Sequence, residues 1–158
     1  MKLSPFFEPG HRSEIGSHTF TRDEIIRFAR KFDPQPFHID EEKARASVLG
    51  GLCASGWHTA AVWMRLMRDF NAGSVAEWVA AGNPPYAIGP SPGFKNLRWI
   101  RPVYVDDTIT YFNNTETCRP SASRPGWYIF SGRQEGINQH GKPVFSFDST
   151  GFLRYPAD

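Results

Sequence analysis

Asp33 and His38 stand five residues apart in the run Asp33-Pro34-Gln35-Pro36-Phe37-His38-Ile39-Asp40, a carboxylate and an imidazole on a segment stiffened by two prolines. Such a segment holds polar side chains in place with little entropy left to lose when a substrate arrives. A carboxylate and an imidazole that share one water can divide general-base and general-acid work between them. Each residue also has a plainer reading: Asp33 turns the chain ahead of Pro34, and His38 is an ordinary packed histidine. Asp40 reads mainly as a helix cap.

Gly56 is the second candidate. A helix N-terminus presents unpaired backbone N–H groups, and a glycine there lets a substrate carbonyl come close, which makes an oxyanion hole. The alternative is that Gly50, Gly51 and Gly56 serve only the packing of helix against sheet. Ser55 and Cys53 lie in Leu52-Cys53-Ala54-Ser55-Gly56-Trp57, which lacks the first glycine of a G-x-S-x-G nucleophile elbow. Ser55 therefore reads as an N-cap and Cys53 as a small buried hydrophobe. Asp33, His38, Asp40 and His58 match no helical histidine pair or H-E-x-x-H spacing, so no metal is expected.

These residues need elements to position them. Thr21-x-x-Glu24 is a capping box, and Ile25, Phe28, Ala29 and Phe32 follow with helical spacing. Pro34 and Pro36 disfavour helical geometry at Asp33 and Gln35, so residues 33–37 are expected to form an extended, stiff loop. Asp40 then caps a short helix over Glu41 to Ala46. After the Gly50-Gly51 turn, Ser55 or Gly56 opens a segment whose Ala60, Ala61, Val62, Trp63, Met64, Leu66 and Met67 cover most of a helix surface, which predicts burial on nearly all sides. Asn71 and Gly73 are expected to interrupt it, with Ser74-x-x-Glu77 capping a further helix over Val75 to Ala81 and Gly82-Asn83-Pro84-Pro85 stopping that one.

The ends of the chain read differently. Met1 to Gly16 is an arm leading to a short strand near Ser17 to Phe20. Beyond Gly82 no helical period is convincing, and four strands are expected, over Gly93 to Tyr104, Thr108 to Arg119, Trp127 to Asn138 and Pro143 to Tyr155, joined as an antiparallel meander.

Composition bounds the function. A chain of 158 residues, 40% hydrophobic and 15% aromatic, has material for one well-filled core, so residues 1–158 are expected to form a single domain. A net charge of +2 with 22% charged residues gives no field suited to nucleic acid or to a membrane surface. Two cysteines, Cys53 and Cys118, make neither a disulfide framework nor a zinc site, which fits a reducing cytoplasm. No leader-like opening and no apolar run of membrane-spanning length is evident, so a soluble cytoplasmic protein is expected.

Phe28-Ala29, the Asp33 to Asp40 run, Ala44, Gly50-Gly51, Ala54-Ser55-Gly56 and the apolar helix together resemble the signature of MaoC-like dehydratases, the (R)-specific enoyl-CoA hydratase group. Gly93-Phe94-Lys95-Asn96-Leu97-Arg98-Trp99 and Arg101-Pro102-Val103-Tyr104-Val105-Asp106-Asp107-Thr108 resemble the same family's strand and turn after the core helix. The resemblance implies an α+β hot-dog fold, a curled antiparallel sheet wrapped around a central buried helix, with two subunits paired as a homodimer. It implies Asp33 and His38 as the catalytic pair that handles water, and the Gly56 backbone N–H as the donor to the thioester oxygen.

The implied reaction adds water to a trans-2-enoyl thioester or dehydrates the (3R)-3-hydroxyacyl thioester, carried on coenzyme A or an acyl carrier. It needs no cofactor, because the thioester itself acidifies the alpha position. This chain has Ser55-Gly56 where many members have His-Gly, and Met64 where some carry a serine. Ser55, Trp57 and Met64 are accordingly assigned to substrate binding, with Trp57, Trp63 and Trp99 either narrowing an acyl tunnel or filling plain core. Lys95, Arg98 and Arg101 either meet carrier phosphates or are simply solvated. Two rival readings remain: an acyl-CoA thioesterase, in which the same pair directs water at the carbonyl carbon, and a non-catalytic acyl-thioester binding module.

Overall fold

The computed structural model describes residues 3–156. Its framework is one antiparallel sheet. Strand β1 (Arg12–Thr19) pairs with β4 (Thr108–Pro120), β4 with β5 (Trp127–Asn138), and β5 with β6 (Pro143–Arg154). The far edge of β6 carries two shorter strands, β2 (Ala87–Ile88) at one end and β3 (Gly93–Trp99) along the rest. Register shifts in the β1–β4, β3–β6, β4–β5 and β5–β6 pairings bend the strands, and the sheet curls.

Alternation along β4 sends Ile109, Tyr111, Asn113 and Thr115 to the buried concave face. Across that face lies α4 (Gly56–Ala80), whose Trp63 and Met67 are buried in the same cluster as Phe145 and Phe147. Trp63 meets Phe147 edge-on at 4.6 Å between ring centroids, and the Tyr111 hydroxyl donates to the Thr59 carbonyl at 3.0 Å. A curled antiparallel sheet around a long helix is the hot-dog architecture.

Three short α-helices precede α4. Helix α1 (Arg22–Phe32) starts at Thr21, whose hydroxyl accepts the Glu24 amide, and α3 (Glu41–Ala46) starts at Asp40, which accepts the Lys43 amide at 3.0 Å. Between them lies α2 (Pro36–Ile39). The expected extended loop over residues 33–37 is thus corrected at its second half. Pro36 occupies the first position of a helical turn, where a missing N–H breaks no hydrogen bond and the fixed φ already suits a helix.

Helix α4 departs from expectation in two ways. It runs unbroken for 25 residues through Asn71, Gly73 and Ser74, so there is no separate helix over Val75 to Ala81. A helix-interior glycine costs about 1 kcal/mol relative to alanine. Phe70, Val75 and Trp78 all pack against the core, and the Trp78 indole donates to the Pro84 carbonyl at 2.9 Å, which outweighs that penalty. The helix is also not buried on all sides: Trp57 is 51% and Met64 58% exposed. Among the described residues, nothing fully covers these two apolar side chains.

Smaller corrections follow from register. The first strand begins at Arg12 rather than Ser17, because residues 12–14 continue the ladder to Asn114. Strand β3 stops at Trp99 rather than Tyr104, and β2 carried no strand signal in only two residues.

Candidate active site

The two halves of the site meet at the N-terminus of α4. Asp33 sits at the end of α1, its amide still bonded to the Ala29 carbonyl at 2.8 Å, and the turn of α2 swings His38 back toward the core. His38 is buried, with Nδ1 at 2.7 Å from the Cys53 carbonyl. A carbonyl only accepts, so Nδ1 carries the proton and neutral His38 keeps its lone pair on Nε2. Cys53 is itself held as a one-residue bridge to Tyr104, beside the Ala54 amide bonded to the Val103 carbonyl at 2.8 Å. Burial pushes the Cys53 thiol up to about 11, with the Asp33 charge adding to the effect, so the sulfur is an inert neighbour.

Nε2 of His38 lies 3.4 Å from Asp33 Oδ2. That oxygen also accepts the Ser55 hydroxyl at 2.7 Å, while Gln35 donates to Oδ1 at 2.8 Å. Burial pushes the Asp33 carboxyl up, but the Ser55 and Gln35 hydrogen bonds, joined by His38 whenever its ring is protonated, outweigh it and hold the group below the ordinary carboxylate value. Asp33 is an anchored carboxylate.

Ser55 does two jobs with one oxygen. It caps α4 by accepting the Trp57 amide at 3.2 Å, as the sequence reading expects, and it donates to Asp33. The Ser55 carbonyl takes the His58 and Thr59 amides. The Gly56 amide is left among the donors that a helix start cannot satisfy internally. What requires glycine there is a neighbour in the same chain: a Cβ at position 56 would stand 2.2 Å from Cε2 of Trp99. Trp99 packs edge-on against Trp57 at 5.1 Å, so the two indoles and the glycine form one corner beside the helix start.

Below this corner lies a polar set that spacing alone did not single out. His18 and His58 both present Nε2 to Glu24 Oε1, and His58 is stacked on Phe28 at 4.5 Å with its Nδ1 buried and unpartnered among the described residues. Burial depresses His58 to about 4 against the opposing pull of Glu24, with His18 and Arg27 adding to the depression. Among the described residues no three His, Cys, Asp or Glu side chains converge as a metal would require.

A cavity of about 820 Å³ opens between α4 and the concave face of the sheet. Trp57, Trp63 and Met64 line it, together with Phe147 and Phe94. Asp33 and His38 do not, and Trp57 is the residue shared between the cavity wall and the corner with Trp99. Trp99, grouped with the tunnel tryptophans by sequence, lies on Gly56 and outside the cavity wall. Arg101 Nη1 donates to the Pro143 carbonyl at 2.7 Å, so its guanidinium already has a partner in the chain.

A curled antiparallel sheet around a long helix defines a hot-dog protein. The chain belongs to the MaoC like domain family, whose profile it matches over residues 8–122. It is similar to a MaoC-like dehydratase from Rhodospirillum rubrum, at 35% identity over 95% of both chains with a TM-score of 0.78. It also resembles YdeM of Bacillus subtilis, an uncharacterized protein, at 34% identity over 69% of each chain. At 18% identity it shares its fold with the (R)-hydratase from A. caviae involved in PHA biosynthesis, covering 94% of this chain and 97% of that one with a TM-score of 0.64. No helix among the described residues is long and apolar enough to cross a membrane.

Proposed function

We propose that this protein is a hydro-lyase that adds water to trans-2-enoyl thioesters, or in reverse dehydrates (3R)-3-hydroxyacyl thioesters, with coenzyme A as the carrier. The observation that carries this reading is the pair of acceptors at Asp33 Oδ2 and His38 Nε2, 3.4 Å apart, tied through Ser55 to the start of the helix that Gly56 opens. Two acceptors at that distance call for a donor, and a water giving one O–H to each meets both. The thioester carbonyl then takes the Gly56 amide, and the acyl group enters the cavity past Trp57.

The chemistry balances on these groups alone. Water oxygen bonds to the beta carbon, the C=C π pair shifts toward the thioester, and negative charge develops on the oxygen at Gly56. The proton released from water passes to His38 Nε2 and is returned to the alpha carbon, which restores neutral His38. Asp33 is held low by its own hydrogen bonds and stays ionised, stabilising the imidazolium. In place of a division of base and acid work between the pair, this geometry favours His38 as the proton carrier and Asp33 as its anchor.

Residues 1–158 act as one domain, and the working unit is a homodimer. Support comes from β3, whose edge away from β6 has no strand partner among the described residues, and from the exposed Phe94, Trp99, Ile100 and Met64 nearby. Pairing β3 with its symmetry mate extends the sheet and covers that apolar surface.

The decisive experiment follows loss of conjugated enoyl absorbance and release of free thiol in parallel on enoyl-CoA substrates. Loss of conjugation with the thioester intact is expected. Thiol release with conjugation retained would replace the hydratase by a thioesterase, and neither signal would leave a binding module.

A further inference from the structure

The cavity between α4 and the sheet has an unusual floor. Its walls are aromatic and aliphatic, yet two fully buried amides line it: Gln134 on β5, 1% exposed, and Asn113 on β4, 4% exposed. A concave hot-dog face buries side chains against a helix, and leucine or valine would fill these positions without the desolvation that an amide suffers.

The direction of every hydrogen bond in this floor is fixed by one residue. The Trp63 indole can only donate, and it does so to Gln134 Oε1 at 3.1 Å. Gln134 Nε2 must then be the donor toward Asn113 Oδ1 at 2.6 Å and Ser149 Oγ at 3.1 Å. Asn113 is oriented in turn, its Nδ2 giving one N–H to Thr115 Oγ1 at 3.0 Å, and Thr115 passes its hydroxyl proton to the Phe6 carbonyl at 2.6 Å. Both N–H groups of Gln134 are now used. Among the described residues, one N–H of Asn113 and one lone pair on Gln134 Oε1 have no partner.

A spare donor and a spare acceptor on adjoining buried amides match a hydroxyl group, which accepts from one and donates to the other. We propose that Asn113 and Gln134 select acyl groups carrying a hydroxyl within the part that fills the cavity, in preference to plain hydrocarbon chains of the same length. This rests on the reading that the cavity takes the acyl portion of the thioester. At about 820 Å³ the space lies toward the upper end of what encloses a drug-sized molecule, so a substituted acyl group fits without rearrangement. A site built to hydrogen-bond a substrate hydroxyl discriminates against the analogue lacking it, because the buried partners are then left unpaired.

The test is a binding comparison that does not depend on turnover. Trp57 and Trp63 line the cavity, so saturated acyl-CoA thioesters of one length, unsubstituted or with a hydroxyl scanned along the chain beyond the beta carbon, can be titrated against intrinsic tryptophan fluorescence. At least one hydroxylated isomer is expected to bind roughly tenfold or more tighter than the unsubstituted chain. Asn113→Leu, checked for folding by circular dichroism, should abolish that preference, and Gln134→Met serves the same purpose should the first variant fail to fold. An unsubstituted chain that binds the wild-type protein as well as every hydroxylated isomer overturns the proposal, as does a preference that survives in the folded variants. Enoyl-CoA hydration is measured separately: its absence would remove the hydratase reading while the binding ratio still decides the role of the floor.

Discussion

Ser55 donates its hydroxyl proton to Asp33 Oδ2 across 2.7 Å while its oxygen accepts the Trp57 amide at 3.2 Å. One side chain thus ties the end of α1 to the start of α4. That hydroxyl joins the carboxylate directly to the helix start that Gly56 opens.

Ser55→Ala should loosen that tie. Removing an N-cap hydroxyl costs about 1 kcal/mol of stability, measurable as a lower urea midpoint. The same change removes a bond that holds the Asp33 carboxyl below its ordinary value, so its titration, followed by carboxyl NMR, should move upward as burial prevails. Since the folded value is depressed, Asp33's contribution to stability is full above the ordinary value of 3.8 and fades as pH falls through the folded value. The stability gap between wild type and Ser55→Ala should accordingly narrow in acid. An Asp33 titration that does not move would break the link.

Asp33→Asn and His38→Ala should each lower enoyl-CoA hydration by roughly 100-fold or more. His38→Ala also strands the Cys53 carbonyl, so its folding is to be checked alongside. Asp33→Asn keeps an oxygen for Ser55, and its effect should fall on kcat far more than on thermal stability. Full activity in either folded variant contradicts the assignment.

Gly56→Ala places a methyl group where the Trp99 indole lies, 2.2 Å from Cε2. Displacing the indole and its contact with Trp57 should cost about 1–3 kcal/mol. In a Trp99→Ala background the same substitution should cost much less, and the double-mutant cycle in urea reads the difference. Equal costs in both backgrounds would show that the glycine is needed for another reason.

His58 is buried neutral, its value lowered from 6.5 to about 4, so the unfolded chain binds the extra proton across that window. Stability should therefore fall as pH drops from 6.5 toward 4, by on the order of 3 kcal/mol if this group acts alone. Glu24 opposes the effect, while His18 and Arg27 reinforce it. His58→Phe, which keeps a ring on Phe28, should flatten the profile in urea unfolding at successive pH values. An unchanged slope would assign the acid sensitivity elsewhere.

If β3 pairs with its mate, light scattering should give twice the chain mass. Phe94→Glu, placing a charge on that exposed strand, should shift the protein toward the single-chain mass. A monomeric wild type would remove the homodimer from the proposal.

Local rules sufficed for much of this molecule. Thr21, Asp40 and Ser55 each cap the helix that follows, because capping is settled within a few residues of chain. The long strands β4, β5 and β6 were legible from turn residues and alternation, and the Asp33, His38 and Gly56 set stood out by type and spacing. Other features depended on partners far away in sequence. Tertiary packing overrode local propensity at Asn71 and Gly73. Pro36 reads as a breaker by its effect on Gln35, yet it opens α2, the turn that carries His38 to the Cys53 carbonyl. Gln35 holding Asp33, Trp99 demanding Gly56, and the chain from Trp63 through Gln134 to Asn113 join side chains whose proximity depends on how loops, helix and sheet are assembled. The sequence alone determined which residues could do chemistry and where α1, α3 and α4 begin. The tertiary structure decided which atoms those residues face, because hydrogen-bond direction and close contact are properties of neighbours in space.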